Sequence, residues 1–268
     1  MFYYFIVFCD SIFLFKWGVN VIQTYLGTIG SGKSYHALET IVEALNKGKY
    51  VVSNFPLKFT QAMIKKGYAA RFMYLPDDFL MGVDGVSFLY QLQKKMSFYD
   101  KGGEGACLVV IDEAGNYFPP EDNGKFTTRL WKLFFTQSRK MGYDFLLICQ
   151  DDMSQINKTI RKCVEYRVLH RKANAVFPFK LLPFTLFMYV TYWAQQKERL
   201  SSSSSIYVKK FGSLYDTSMM FGDIDNKFDL DLENLKTELG FSLDFGNCDL
   251  SEGVESVDHE EEGNEIAV

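Results

Sequence analysis

Gly27-Thr28-Ile29-Gly30-Ser31-Gly32-Lys33-Ser34 fits the pattern G-x-x-x-x-G-K-[ST] of a Walker A phosphate-binding loop. Nucleotide phosphates are gripped by a ring of backbone N–H groups, and glycines permit turns and a close approach that a Cβ would block. Lys33 is then placed to reach the β- and γ-phosphates of ATP. Ser34 offers a hydroxyl to Mg²⁺ and opens a helix whose N-terminal dipole favours the same negative charge. Gly27, Thr28, Ile29, Gly30, Ser31, Gly32, Lys33 and Ser34 are therefore the expected cofactor-binding residues. Val21 to Leu26, just before the motif, is a β-branched and aromatic run that reads as a strand. Tyr35 to Lys47, just after it, repeats Ala37, Leu38, Ile41, Val42 and Leu45 at helical spacing and stops at Gly48. Strand, loop and helix is the context the motif requires.

Further along, Ala106 to Ile111 is a continuous apolar run of the kind shown by a strand buried on both faces, and it ends in Asp112-Glu113. Ligands of parallel sheets bind at the C-terminal ends of the strands. There Asp112 is expected to hold Mg²⁺ through water, and Glu113 to orient and partly deprotonate the attacking water, as a Walker B pair does. Asp144 to Gln150 reads as the next buried strand. Its terminal amide, Gln150, is either a γ-phosphate sensor or a structural end residue. A helix is expected over 123–141, with Phe126, Leu130 and Phe134 in one stripe, Trp131 and Phe135 beside it, and Gly142 as terminator. Arg129, Lys132 and Arg139 lie toward its other face. Arg139 is either solvated charge or an arginine finger that reaches a neighbouring subunit's γ-phosphate. The expected catalytic residues are thus Lys33, Glu113, Gln150 and Arg139, and the expected metal ligands Ser34 and Asp112. Arg161 and Arg167 are further candidates for contact with nucleotide or partner.

Elsewhere the pattern predicts strands over 50–54, 71–75 and 164–169 and helices over 59–70, 86–98 and 154–162. The apolar stretch 176–194 is broken by Pro178, Lys180 and Pro183, and its part 184–193 suits a strand or an interfacial segment better than a spanning helix. Ser201 to Ser205 reads as a flexible connector or loop, and 207–221 as a return to the domain surface. Three regions result: an apolar extension over 1–18, an ATPase domain over 19–222, and an acidic, largely disordered tail over 223–268 that holds a short helix at 231–239. The extension is a weak membrane anchor or reflects a start site upstream of the true one. As a helix, Met1 to Phe15 would span about 22 Å against a hydrocarbon core of roughly 30 Å, with Asp10 at its centre.

The net charge of −4 is unevenly distributed. From Asp216 onward 16 Asp and Glu face two Lys, whereas the preceding 215 residues carry a net +10. A basic body suits nucleic acid or an anionic surface as well as ordinary solvation. The five cysteines form no C-x-x-C pair and the three histidines are scattered along the chain. Reduced thiols, a cytosolic domain and no structural metal are expected.

The Walker A loop with Tyr35-His36-Ala37-Leu38-Glu39, the Val51-Val52-Ser53-Asn54 strand, the Leu108 to Ala114 Walker B, and Ser138 to Asp144 with the strand ending at Gln150 together resemble the zonular occludens toxin (Zot) family. That family includes the gene I assembly ATPases of filamentous phages. Glu165-Tyr166-Arg167-Val168, Tyr192-Trp193, Lys197-Glu198-Arg199 and Tyr215-Asp216-Thr217 extend the resemblance, which covers residues 21–221.

The resemblance implies an α/β fold: a RecA-like P-loop NTPase of the additional-strand, catalytic-Glu class, with a mostly parallel central sheet flanked by helices. It also implies ATP hydrolysis with Mg²⁺ that drives assembly and extrusion of a single-stranded-DNA phage at the cytoplasmic face of the host inner membrane. Implied partners are a homo-oligomeric ring, phage coat or other assembly proteins, and single-stranded DNA. Family members usually continue through a membrane helix into an outer domain, where an acidic tail stands here. Enterotoxin activity is therefore not expected, and membrane attachment falls to 1–18, 176–194 or a partner. A DNA translocase or packaging ATPase of the FtsK/HerA kind, and an ATP-binding switch with little turnover, are the alternatives.

Overall fold

Burial sorts the strands of the computed structural model, which describes residues 21–96, 105–175 and 179–215. They are β1 (Ile22–Leu26), β2 (Tyr50–Ser53), β3 (Phe72–Tyr74), β4 (Cys107–Ile111), β5 (Tyr143–Ile148), β6 (Tyr166–Lys172), β7 (Leu186–Trp193) and β8 (Arg199–Ile206). β4 and β5 are buried at every residue and lie inside one sheet of order β3-β2-β4-β5-β1-β6-β7-β8. The pairings from β3 across to β6 are parallel, and β7 and β8 add antiparallel pairings at one edge. β5 stands between β1, which leads into the Walker A loop, and β4, which ends in Asp112. That insertion is the additional strand, so the expected fold class is borne out.

Among the described residues three helices exceed two turns: α1 (Lys33–Asn46), α2 (Val83–Met96) and α3 (Phe126–Gln137). The two-residue alternation of the central strands assigns the helices to opposite faces. Leu108, Val110, Leu146 and Ile148 share a core with Tyr25 and with Ala37, Ile41, Ala44 and Leu45 of α1. Phe145 instead meets Trp131, Phe134 and Phe135 of α3. Each fully buried Leu or Ile of α1 contributes about 1.5–3 kcal/mol by leaving water.

Several expectations are corrected. The buried face of α3 is Thr128, Trp131, Phe134 and Phe135, while Phe126 is 58 % exposed. The aromatic edge contacts of Trp131 and Phe135 with Phe118 and Phe145 turn the helix away from a 126/130/134 stripe. The region 59–70 is a short helix, Gln61–Lys65, and a 3₁₀ turn, Ala69–Arg71, parted at Gly67 with φ 72°. The 154–162 helix is two single turns, because the buried Ile156 is extended and Asn157 starts afresh by accepting the Ile160 N–H at 3.0 Å.

Ser201 to Ser205 is no connector. It belongs to β8, paired along its length with β7, where Tyr189 and Ser205 share a hydrogen bond of 2.5 Å. Its short polar side chains suit an edge strand, which must not invite further pairing. The segment 184–193 takes the strand form that was one of its two expected states. Among the described residues no helix is long and apolar enough to cross a membrane. The readings of 1–18 and 223–268 lie outside the described residues.

Candidate functional site

Pairing registers bring the functional ends of three strands level. Tyr25 is opposite Ile148, and Leu147 opposite Ile111, so Gly27, Gln150 and Asp112 emerge together at the C-terminal ends of the central strands. The Gly27 N–H donates to the Gln150 carbonyl at 3.1 Å, which fixes where the Walker A loop leaves β1. Two glycines are required by space as well as by positive φ. A Cβ at Gly27 would lie 2.7 Å from the His170 carbonyl oxygen, and one at Gly32 would lie 2.6 Å from the Phe187 ring. Gly32 (φ 94°) then starts α1 with no side-chain cap and no acidic residue in the first turn, so the positive helix end faces the loop uncompensated. Lys33 folds back over that loop, its Nζ donating to Gly27 O at 2.7 Å and Thr28 O at 3.2 Å. Ile29 stands at the loop tip, 85 % exposed.

Opposite the loop, Asp112 is 5 % exposed and follows directly on β4. Its backbone is clasped from both sides by one residue: Asn54 Nδ2 donates to Asp112 O at 3.0 Å, and Asp112 N–H donates to Asn54 Oδ1 at 2.7 Å. Asn54 in turn reaches Asp77 Oδ1 and the Tyr117 hydroxyl, and Tyr117 donates to Asp77. The Asp112 carboxylate accepts the Glu113 N–H at 2.9 Å and the Tyr215 hydroxyl at 3.2 Å. Burial pushes this carboxyl above the usual range and the Glu113 charge adds to that push, while these two hydrogen bonds and the Lys33 ammonium pull it back. Glu113 itself is exposed and sits in the left-handed region, φ 48° and ψ 45°. Such a conformation costs a non-glycine residue about 1–3 kcal/mol and concentrates at functional sites.

A serine hydroxyl and a buried carboxylate are hard oxygen donors, and Mg²⁺ in phosphate sites takes one or two such protein ligands beside water and phosphate oxygens. Ser34 and Asp112 would hold the ion, whose chemistry is to neutralise charge on the β- and γ-phosphate oxygens. A cation there would also relieve the cost of burying the Asp112 charge.

Lys33, Ser34, Asp112 and Glu113 thus come together as expected from sequence. Gln150 lies beside Gly27 but two residues past the end of β5, and it is exposed; its N–H donates to Gln155 Oε1 at 2.9 Å. Arg139 does not join them. It lies in the 3₁₀ turn Ser138–Met141 that precedes β5, at the other end of that strand from the Walker A loop, about 20 Å away along six residues. A reach into a second copy's site stays a proposal. Arg167 forms an ion pair with Asp152 at 2.7 Å, and Arg161 is turned to the Met153 carbonyl at the same distance.

Sequence reading missed Asn54, Tyr215 and the pair His36–His170. The histidines are far apart in the chain yet bonded in space, Nδ1 of His36 to Nε2 of His170 at 2.8 Å. His170 Nδ1 faces the carbonyls of Leu26 and Val168, so it carries the proton and Nε2 accepts from His36. Burial pushes His36 well below the usual histidine range and His170 down to about 4, so both are neutral at pH 7. With Tyr25 and Tyr189 stacked on His36, they form a rigid backing behind Gly27.

Asn54→Ala removes both bonds to the Asp112 backbone. It should cost about 1–3 kcal/mol of stability, the usual penalty for stranding buried polar groups. ATP turnover should fall more than about tenfold, with nucleotide binding kept. Thermal melting beside binding and turnover assays checks this; unchanged turnover would show that the clasp is dispensable.

A family model described as Zonular occludens toxin (Zot) matches residues 21–210. The Gene 1 protein of Enterobacteria phage I2-2 is 27 % identical over 151 residues, covering 56 % of this chain and 39 % of that protein. The Gene 1 protein of Enterobacteria phage fd is 27 % identical over 179 residues, covering 62 % and 45 %. The chain therefore spans less than half the length of these curated relatives. Among solved structures, the N-terminal domain of zonular occludens toxin from Neisseria meningitidis aligns with a TM-score of 0.40 at 16 % identity, over 74 % of this chain and all of that one.

Proposed function

From its membership of the zonular occludens toxin (Zot) family, to which the chain belongs, we propose that it is a P-loop ATPase whose hydrolysis of Mg²⁺-bound ATP drives assembly and extrusion of a filamentous, single-stranded-DNA phage. The observation that carries this reading is the convergence of Lys33, Ser34, Asp112 and Glu113 beyond the C-terminal ends of β1 and β4, with β5 inserted between those two strands.

In this mechanism the loop N–H groups and Lys33 hold the phosphates, Lys33 exchanging its bonds to Gly27 and Thr28 for phosphate oxygens. Ser34 and Asp112 would hold Mg²⁺. The Glu113 carboxylate orients a water for in-line attack on the γ-phosphorus and takes its proton, while Gln150 hydrogen-bonds the γ-phosphate. Arg139 supplies charge to the next subunit of a homo-oligomeric ring. The ring works at the cytoplasmic face of the host inner membrane, with phage coat or other assembly proteins as partners and single-stranded DNA nearby.

ATP turnover separates this from a direct DNA motor. The expected result is Mg²⁺-dependent basal turnover that rises with vesicles carrying the phage coat protein and is unmoved by single-stranded DNA alone. Stimulation by DNA alone, falling steeply between 50 and 200 mM salt as phosphate contacts do, would replace it with the translocase or packaging reading.

A further inference from the structure

The Tyr215 hydroxyl reaches the candidate phosphate and metal site. It donates to Asp112 Oδ2 at 3.2 Å and is also hydrogen-bonded to the Ser34 side chain. These are the two side chains that would hold Mg²⁺. A phenolic O–H between a serine and a carboxylate satisfies both as a metal-bound water would, but brings no positive charge.

The tyrosine is held there by the neighbourhood of Asn54. Its ring meets Phe55 edge-on at 4.9 Å, its backbone bridges to Leu57, and the Lys58 N–H donates to Leu214 O at 2.9 Å. Leu214 is buried, so the segment is seated rather than laid on the surface. The stretch that seats Tyr215, residues 55–58, therefore follows directly on Asn54, which clasps Asp112.

We propose that Tyr215 gates the metal position: its hydroxyl satisfies Ser34 and Asp112 until Mg²⁺ with nucleotide takes both, and binding then releases the tyrosine from them. This rests on the ATPase reading. It makes the seating of residues 214–215 on 55–58 sensitive to the nucleotide state.

The test measures binding, not turnover. Tyr215→Phe keeps the ring against Phe55 and frees Ser34 and Asp112. It should lower the Mg²⁺ concentration that half-saturates binding of a fluorescent non-hydrolysable ATP analogue by about threefold to tenfold, as expected for losing a competing hydrogen bond. In the wild type, 3-fluorotyrosine at position 215 should give a fluorine resonance that moves on adding the analogue with Mg²⁺ and stays put with the analogue in EDTA. An unchanged or raised Mg²⁺ requirement in Tyr215→Phe would overturn the gate, the raised one by making the hydroxyl a helper of the metal. If neither protein binds the analogue at any Mg²⁺ concentration, the ATPase reading fails and the gate falls with it.

Discussion

Lys33→Ala is expected to weaken ATP binding about 100-fold and to leave the fold intact. The ammonium is the one side-chain charge seated over the loop carbonyls of Gly27 and Thr28 among the described contacts of that loop. Charge-assisted bonds to phosphate exceed the neutral bonds they replace by a few kcal/mol, and each 1.4 kcal/mol is tenfold in affinity. Those loop bonds sit at a partly open surface, so their loss should change stability by less than about 1 kcal/mol. Titration with a fluorescent ATP analogue, beside a thermal melt, checks both halves. Wild-type affinity in the variant would place the phosphates elsewhere.

Glu113→Gln carries the other large effect. Turnover should fall about 10²- to 10⁴-fold, the contribution of a positioned general base, with ATP affinity within about threefold of wild type. Glutamine has the same length, so water can still be contacted but not deprotonated. The Glu113 charge is one of the causes that raise the Asp112 carboxyl, so its removal favours an ionised Asp112. The readout is single-turnover hydrolysis with saturation shown independently, and equal turnover in the two proteins would remove Glu113 from the chemistry.

Local rules made the centre of this protein legible. The Walker A octet, the apolar run into Asp112-Glu113 and the buried strand before Gln150 each announce themselves in a few consecutive residues, and the sheet brings them level. What escaped depends on residues distant in sequence. Asn54 reads only as a strand end until Asp112 arrives from 58 positions away to be clasped. His36 and His170 meet across 134 positions. Tyr215 lay within the motifs that carry the family resemblance, but nothing around it in the chain points to Ser34 or Asp112. Ser201 to Ser205 misled because composition speaks of solvation, while its strand state comes from β7 supplying the hydrogen-bond ladder. The stripe on α3 was misplaced for a similar reason: Phe118 and Phe145 choose which aromatic residues turn inward.

The measurement that bears most directly on the central claim is phosphate release from ATP by the purified chain with and without Mg²⁺, at nucleotide concentrations shown to saturate it, with Glu113→Gln alongside. The account predicts Mg²⁺-dependent turnover in the wild type and bound but uncleaved ATP in Glu113→Gln. Saturated wild type that releases phosphate no faster than Glu113→Gln, with coat-protein vesicles or DNA present as well as without them, would contradict it and leave a nucleotide-binding switch.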